Sequence, residues 1–168
     1  MTKEVIIANI LTILGQFVVF YASTRKDKRQ ILSFQIVSML IMSLGSLLLK
    51  GYSAIVMDAV AILRNLFSLF SIDHRLLPYL FIGLSVVFGH IFNNMGWVGY
   101  FPMIANVVQS IFVLNKKTTT RQLQFVFSFA SFCWAIYNIA IRAYAGMFFD
   151  LVNAISFLIN GIRRKEEE

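Results

Sequence analysis

Lys50-Gly51-Tyr52-Ser53-Ala54-Ile55-Val56-Met57-Asp58-Ala59-Val60-Ala61-Ile62 has a second version in the same chain. Ninety-two residues later stands Arg142-Ala143-Tyr144-Ala145-Gly146-Met147-Phe148-Phe149-Asp150-Leu151-Val152-Asn153-Ala154. Both copies hold a base, a tyrosine two residues on and an aspartate six after that, and both continue as an apolar helix. Upstream, at the same offset, Arg29-Gln30-Ile31 answers Arg121-Gln122-Leu123. Three anchors in one register point to an internal duplication.

Composition says what solvent this duplication lives in. Of 168 residues, 58% are hydrophobic and 14% are charged, against roughly 25% charged in a soluble domain. One water-soluble core of this length cannot hide that much apolar surface, so the lipid bilayer is the expected partner. The net charge of +7 fits basic loops that set membrane orientation, and nucleic acid is not an expected partner. A single cysteine, Cys133, excludes an internal disulfide framework, and His74 and His90 alone make no metal cluster. No cofactor is expected. The amino-terminal stretch lacks a secretory cleavage pattern.

Apolar runs broken by polar or turn residues give seven predicted spans: 5–22, 31–49, 52–72, 76–92, 97–114, 123–141 and 144–162. Lys50-Gly51 and Arg142-Ala143 read as tight hairpins, and Asn93-Asn94-Met95-Gly96 as a turn. Counting bases on alternate sides gives eleven on one face (Arg25, Lys26, Lys28, Arg29, Arg75, Lys116, Lys117, Arg121, Arg163, Arg164, Lys165) and three on the other (Lys3, Lys50, Arg142). The positive-inside rule then puts the amino terminus outside and the carboxyl terminus in the cytoplasm. Both copies of the basic loop fall on one side, so the copies are parallel, and an odd helix must join them. The expected fold is an all-α membrane protein with seven transmembrane helices as 3+1+3 parallel three-helix-bundle repeats. Residues 1–75 form the first repeat, 76–96 the linker helix and turn, and 97–168 the second repeat with a short tail.

Leu49-Lys50-Gly51-Tyr52, Ile62-Leu63-Arg64-Asn65, Trp134-Ala135-Ile136-Tyr137-Asn138 and Tyr144-Ala145-Gly146 resemble the YgjV family of bacterial inner-membrane proteins. The 3+1+3 plan is similar to that of the SWEET and PQ-loop superfamily, whose members are parallel-repeat transporters. The resemblance implies an inner-membrane location, and matches Trp134 and Tyr137 to a Trp-x-x-Tyr motif and Asn153 to a pocket-lining asparagine. The chain departs from that pattern in places. The first span lacks proline, Pro102 is followed by Met103 instead of glutamine, and the mates of Trp134 and Asn153 are Met42 and Ala61. Neither the Pro-Gln hinge nor a symmetric clamp carries over.

Ionisable groups inside a span need a partner or a hydrated cavity. Asp58 and Asp150 are candidates for binding a proton or cation; alternatively they are solvated helix-end groups or are neutralised by Lys50 and Arg142. Trp134, Asn153, Asn65 and Asn138 are candidate solute contacts, with Asn153 and Trp134 expected at one depth. Asn65 shares a helical face with Asp58, and Asn153 and Asn160 share one with Asp150. Arg64 is expected to snorkel to the cytoplasmic interface or to pair within the bundle. Gln16, Gln35, Asn106, Gln109 and Asn138 can hydrogen-bond between helices. Gly45, Ser46, Gly83, Ser85 and Gly89 can let helices pack closely. His90 is expected at the interface.

No constellation for enzyme chemistry is present. The expected function is a multi-pass transporter of a small, uncharged polar solute by alternating access. A receptor or structural partner of the same architecture is the alternative. Homo-oligomer formation is left open.

Overall fold

The computed structural model describes residues 3–48, 52–72, 74–93, 95–140 and 143–163. Lys50, Gly51, Asn94, Arg142, Arg164 and Lys165, which entered the hairpin, turn and charge readings, lie outside the described residues. Seven α-helices follow one another: α1 (Lys3–Ser23), α2 (Lys28–Leu48), α3 (Tyr52–Leu69), α4 (Leu77–Ile91), α5 (Tyr100–Val113), α6 (Thr120–Ala140) and α7 (Tyr144–Arg163). A 3₁₀ turn, Gly96–Gly99, leads into α5, and the described residues contain no strand. Among the described residues, five stretches are long and apolar enough to cross a membrane: α1, α2, Gly96–Val113, α6 and Ala145–Arg163. The helix α4, at 15 residues, is shorter.

The polarity of the bundle is inverted relative to a soluble protein. Ile6, Ile10, Leu14, Phe17 and Tyr21 run down the exposed face of α1, while Gln16 of the same helix is buried. Leu40, Leu44 and Leu47 do the same on α2, opposite buried Gln35 and Ser38. Helix α3 buries Met57, Asp58, Val60, Ala61, Arg64 and Asn65, a three-to-four-residue stripe carrying all its charge, and exposes Leu63. Lipid accepts the apolar outside, and the polar groups satisfy one another inside.

Helices α2 and α6 each begin three residues before the apolar run that marks them. Asp27 Oδ2 accepts from Gln30 N–H at 3.3 Å, capping α2. At the matching position of the second copy, Thr119 Oγ1 accepts from Gln122 N–H at 3.2 Å while Gln122 Oε1 accepts from Thr119 N–H at 3.0 Å. That reciprocal capping box extends α6 over Thr120-Arg121-Gln122, which periodicity alone assigns to the loop. Pro78 and Pro102 fall in the first turns of α4 and α5, where a missing N–H costs nothing.

Six helices form a closed ring. Helix α1 packs on α2, α2 on α3, α3 on α5, α5 on α6, α6 on α7, and α7 back on α1. Helix α4 lies outside the ring against α3 and α5, its Gly89 seated so closely on Met103 that a Cβ would meet that side chain at 2.7 Å. Val60, Leu77 and Phe81 pack there with Phe67 and Phe88. Of the other small residues, Gly45 seats against the Ala8 carbonyl of α1, whereas Gly83 faces open space. His90 is exposed and stacks on Tyr100.

The basic loops gather at one end. Lys28 Nζ donates to the Asn115 carbonyl at 3.0 Å, and Arg29 reaches Ser71 Oγ at 3.5 Å. Just inside this basic end, Ile31, Leu32, Val113, Leu123, Phe127 and Phe157 form a buried apolar cluster, with Val19, Leu69 and Phe112 packed against it. All six ring helices contribute. The ring is sealed there by hydrocarbon.

Candidate functional site

Above the seal the ring encloses a cavity of about 230 Å³. Val19 and Phe127 belong to both the seal and the cavity wall, so the two are continuous. Gln35 and Gln109 line the deep end, and Ser46, Ala54, Ala143 and Gly146 line the end away from the basic loops. A water-sized side pocket of about 20 Å³ shares Ala54, Trp134 and Tyr137 and reaches toward Gly89 and Met103 of the α4–α5 contact.

The wall repeats itself. Seven pairs of lining residues stand 92 apart in sequence: Gln35 and Phe127, Ser38 and Ala130, Met39 and Ser131, Met42 and Trp134, Ser46 and Asn138, Ala54 and Gly146, Asp58 and Asp150. The same register of α2 and α6, and of α3 and α7, therefore faces one space. The symmetry fails at α1 and α5. Asn9, Thr12, Gln16 and Val19 line the cavity from α1, but only Gln109 does so from α5.

Asp150, 6% exposed, anchors one side of the site. Gln16 Nε2 donates to its Oδ1 at 2.7 Å and Asn138 Nδ2 to its Oδ2 at 2.6 Å. Asn153 Nδ2 donates to Gln16 Oε1 at 2.6 Å, closing a relay across the α1–α7 seam. Gly146 makes room for Asn138, since a Cβ there would meet its amide at 3.0 Å. Asp58, 8% exposed, accepts from Ser43 Oγ at 2.9 Å. Both aspartates lie about two turns inside their helices and are buried, so the solvated helix-end reading does not hold. Lys50 and Arg142, their alternative neutralising partners, lie outside the described residues.

Arg64 does not snorkel. It is fully buried and spans the α3–α5 seam. Its Nη2 donates to Gln109 Oε1 at 2.8 Å, its Nη1 to the Asn106 carbonyl and Oδ1 at 3.2 and 3.3 Å, and its Nε to Asn65 Oδ1 at 3.3 Å. A guanidinium has five N–H groups in a planar fork, and α5 supplies three acceptors for it, which is worth more than the reach to an interface.

The sequence-derived site residues divide. Asp58, Asp150, Trp134 and Asn138 meet on the cavity wall. Trp134 sets its ring edge-to-face with Tyr137, centroids 5.8 Å apart. Asn153 and Asn65 are buried in the seams behind the wall, where Asn153 orients Gln16 and Asn65 takes a bond from Arg64. Asn160 bonds within its own helix to Ser156. Gln35 was expected as glue between helices, but its Oε1 is buried, with almost no accessible surface, and has no hydrogen-bond partner. Among the described residues, no three His, Cys, Asp or Glu side chains come together as metal ligands.

The chain matches the model of a bacterial inner membrane protein family, Imp-YgjV, over residues 6–168. It belongs to that family and is a multi-pass protein of the bacterial inner membrane. No curated protein and no solved structure matches it.

Proposed function

We propose that this inner-membrane protein moves small polar solutes by alternating access, as two parallel three-helix repeats, α1–α3 and α5–α7, joined by α4. The observation that carries this reading is the cavity wall, built from seven residue pairs at one sequence offset and sealed at one end. Exchanging α1, α2 and α3 for α5, α6 and α7 leaves the order of the ring unchanged, as parallel repeats require. The two interfaces between repeats, α1–α7 and α3–α5, are the surfaces on which one bundle can rock against the other. Such a plan supports placing the chain with the SWEET and PQ-loop proteins. Trp134, Tyr137, Met39 and Met42 provide apolar wall, and Asp58, Asp150, Asn138 and Gln16 provide a few placed polar groups, which is the make-up of a small-molecule site.

The positive-inside rule makes the basic end cytoplasmic, so the sealed cavity belongs to an outward-facing state. Purified protein in liposomes should take up at least one solute from a panel of sugars, amino acids, nucleosides, vitamins and amines with saturable kinetics. Absence of saturable flux across the whole panel returns the protein to the receptor or structural class. Cysteines placed at Arg25 and at Asn93 test the orientation: an impermeant thiol reagent should label only the second in intact cells.

A further inference from the structure

The basic end of the ring is bridged as well as sealed. Helices α1 and α5 both finish there, each leaving carbonyls with no partner in its own helix. Gln124 Nε2, on α6, donates at 3.0 Å to the Ser23 carbonyl at the end of α1. Lys28 Nζ, on α2, donates at 3.0 Å to the Asn115 carbonyl just past the end of α5. The two bonds follow one plan. Ser23 and Asn115 stand 92 apart, the offset of the repeat. Lys28 corresponds at that offset to Thr120, one turn before Gln124 on the same face of α6. At the position of Gln124 the first copy has Leu32, which belongs to the apolar seal. The donor of that copy stands one turn further out and is a lysine, with a longer side chain.

Each bond also joins helices that are not neighbours in the ring: α6 to α1, and α2 to the end of α5. One partner comes from α1–α3 and the other from α5–α7, so both bonds run between the repeats across the mouth of the seal. Other bonds between the repeats at this end lie in the seams, where Ser23 Oγ meets Ser156 Oγ at 2.5 Å and Ser68 Oγ donates to the Val113 carbonyl at 2.7 Å. Surfaces in a seam can slide on one another while their helices stay adjacent. A bond across the mouth lengthens as soon as the mouth widens, so it has to break. The two differ in exposure: Gln124 and Ser23 are fully buried, whereas Lys28 is half-buried and Asn115 exposed. Water therefore competes for the lysine bond and not for the glutamine bond.

Resting on the alternating-access reading above, we propose that Lys28 and Gln124 are the two straps of a gate at the basic end. Each ties one repeat to a helix-end carbonyl of the other, and both let go before the seal parts.

The test follows entry from the basic side. In the full chain carrying Cys133→Ala, Ser131→Cys places one thiol on the cavity wall, one turn beyond Phe127 of the seal. Inside-out membrane vesicles present the basic end to an impermeant cationic methanethiosulfonate, and the modification rate of that thiol reads how often the seal is open. Lys28→Met should raise the rate about fivefold, the population shift that one net hydrogen bond supports. Gln124→Met, whose bond is buried, should raise it further. Lys28→Arg, which keeps a donor, should hold the parent rate, and so should Lys26→Met, which removes an equal charge from an exposed position. An unchanged rate with Lys28→Met, or an equal rise with Lys26→Met, overturns the straps, and this contrast does not depend on the buried variant folding. Flux of the solute panel separates the two readings. Faster modification without saturable flux keeps the gate and overturns transport, whereas saturable flux with an unchanged rate keeps transport and overturns the straps.

Discussion

Asp58 and Asp150 hold the same position in the two copies of one motif and face the same cavity, yet the protein grips them unequally. Asp150 takes two amide donors, one from α1 and one from α6. Asp58 takes one hydroxyl, from α2. Neighbouring substitutions explain it: the mate of Asn138 is Ser46, too short to copy the bond, and the mate of Ser43 is Ala135. The α1–α7 and α3–α5 seams differ further. At α1–α7 a glutamine, Gln16, turns its amide N–H to a carboxylate, and at α3–α5 Gln109 turns its oxygen to a guanidinium. An amide serves either sign of charge because it is both donor and acceptor. These two glutamines do not follow the 92-residue offset, since Val108 stands at the offset of Gln16 and Phe17 at that of Gln109.

The strongest way to break this comparison is at the base. Arg64→Ala empties a fully buried volume and orphans acceptors on Asn106 and Gln109, so equilibrium unfolding in mixed micelles should show a loss of about 3–5 kcal/mol. A loss under 1 kcal/mol would mean that the α3–α5 seam does not depend on it.

Next comes the unequal grip itself. Asp150→Ala leaves two buried donors unpaired and should cost about 2–4 kcal/mol, whereas Asp58→Ala orphans one hydroxyl and should cost about 1 kcal/mol. Equal losses in the same assay would show that the two carboxylates are structurally interchangeable.

A smaller effect is expected where the copies differ by one methyl group. Gly146 has Ala54 as its mate, and Gly146→Ala must push the Asn138 amide by a few tenths of an ångström away from its neighbour. We expect a destabilisation of about 1 kcal/mol, removed when Asn138 is shortened to serine as in the first copy. Additive losses in that double mutant would sever the link between glycine and amide.

The smallest effects belong to the matched caps. Thr119→Ala and Asp27→Ala should each lower stability by about 0.5–1 kcal/mol, with the threonine the larger because its capping box is reciprocal. Melting temperatures of the two variants compare them directly.

Much of the fold was legible in the residues. Apolar length and the repeated Tyr-to-Asp spacing located seven helices, because a chain in lipid must satisfy its backbone within each helix. Helix starts at Lys28 and Thr120 were not read, since Asp27 and Thr119 act through local hydrogen bonds that hydropathy does not register. Asp58, Asp150, Trp134 and Asn138 were chosen from sequence and share the cavity wall. Asn65 and Asn153 were chosen on the same grounds and lie behind it, because a helical face can be assigned from one helix but its neighbour cannot. Arg64 shows this most plainly. Its partners Asn106 and Gln109 are more than forty residues away, and only the ring closure brings α5 against α3. For Gln35 the signal is an unmet bond, which has no counterpart in a list of residues.

The apolar seal at the basic end also has an electrical meaning. In the outward-facing state proposed above, a polar cavity open to water on one side would conduct ions and protons far better than a layer of isoleucine, leucine and phenylalanine. On that reading the transmembrane voltage would fall mainly across that layer, a thickness of a few side chains instead of the full bilayer. Work of about 2.3 kcal/mol per elementary charge per 100 mV is concentrated there. On the alternating-access reading, a charge in the cavity would sit near the potential of the open side until the seal parts, and parting it would release nearly the whole voltage drop in one step. Phe127 and Phe157, whose rings pack 5.6 Å apart in this layer, would then be the insulation of a capacitor as much as the packing of a core.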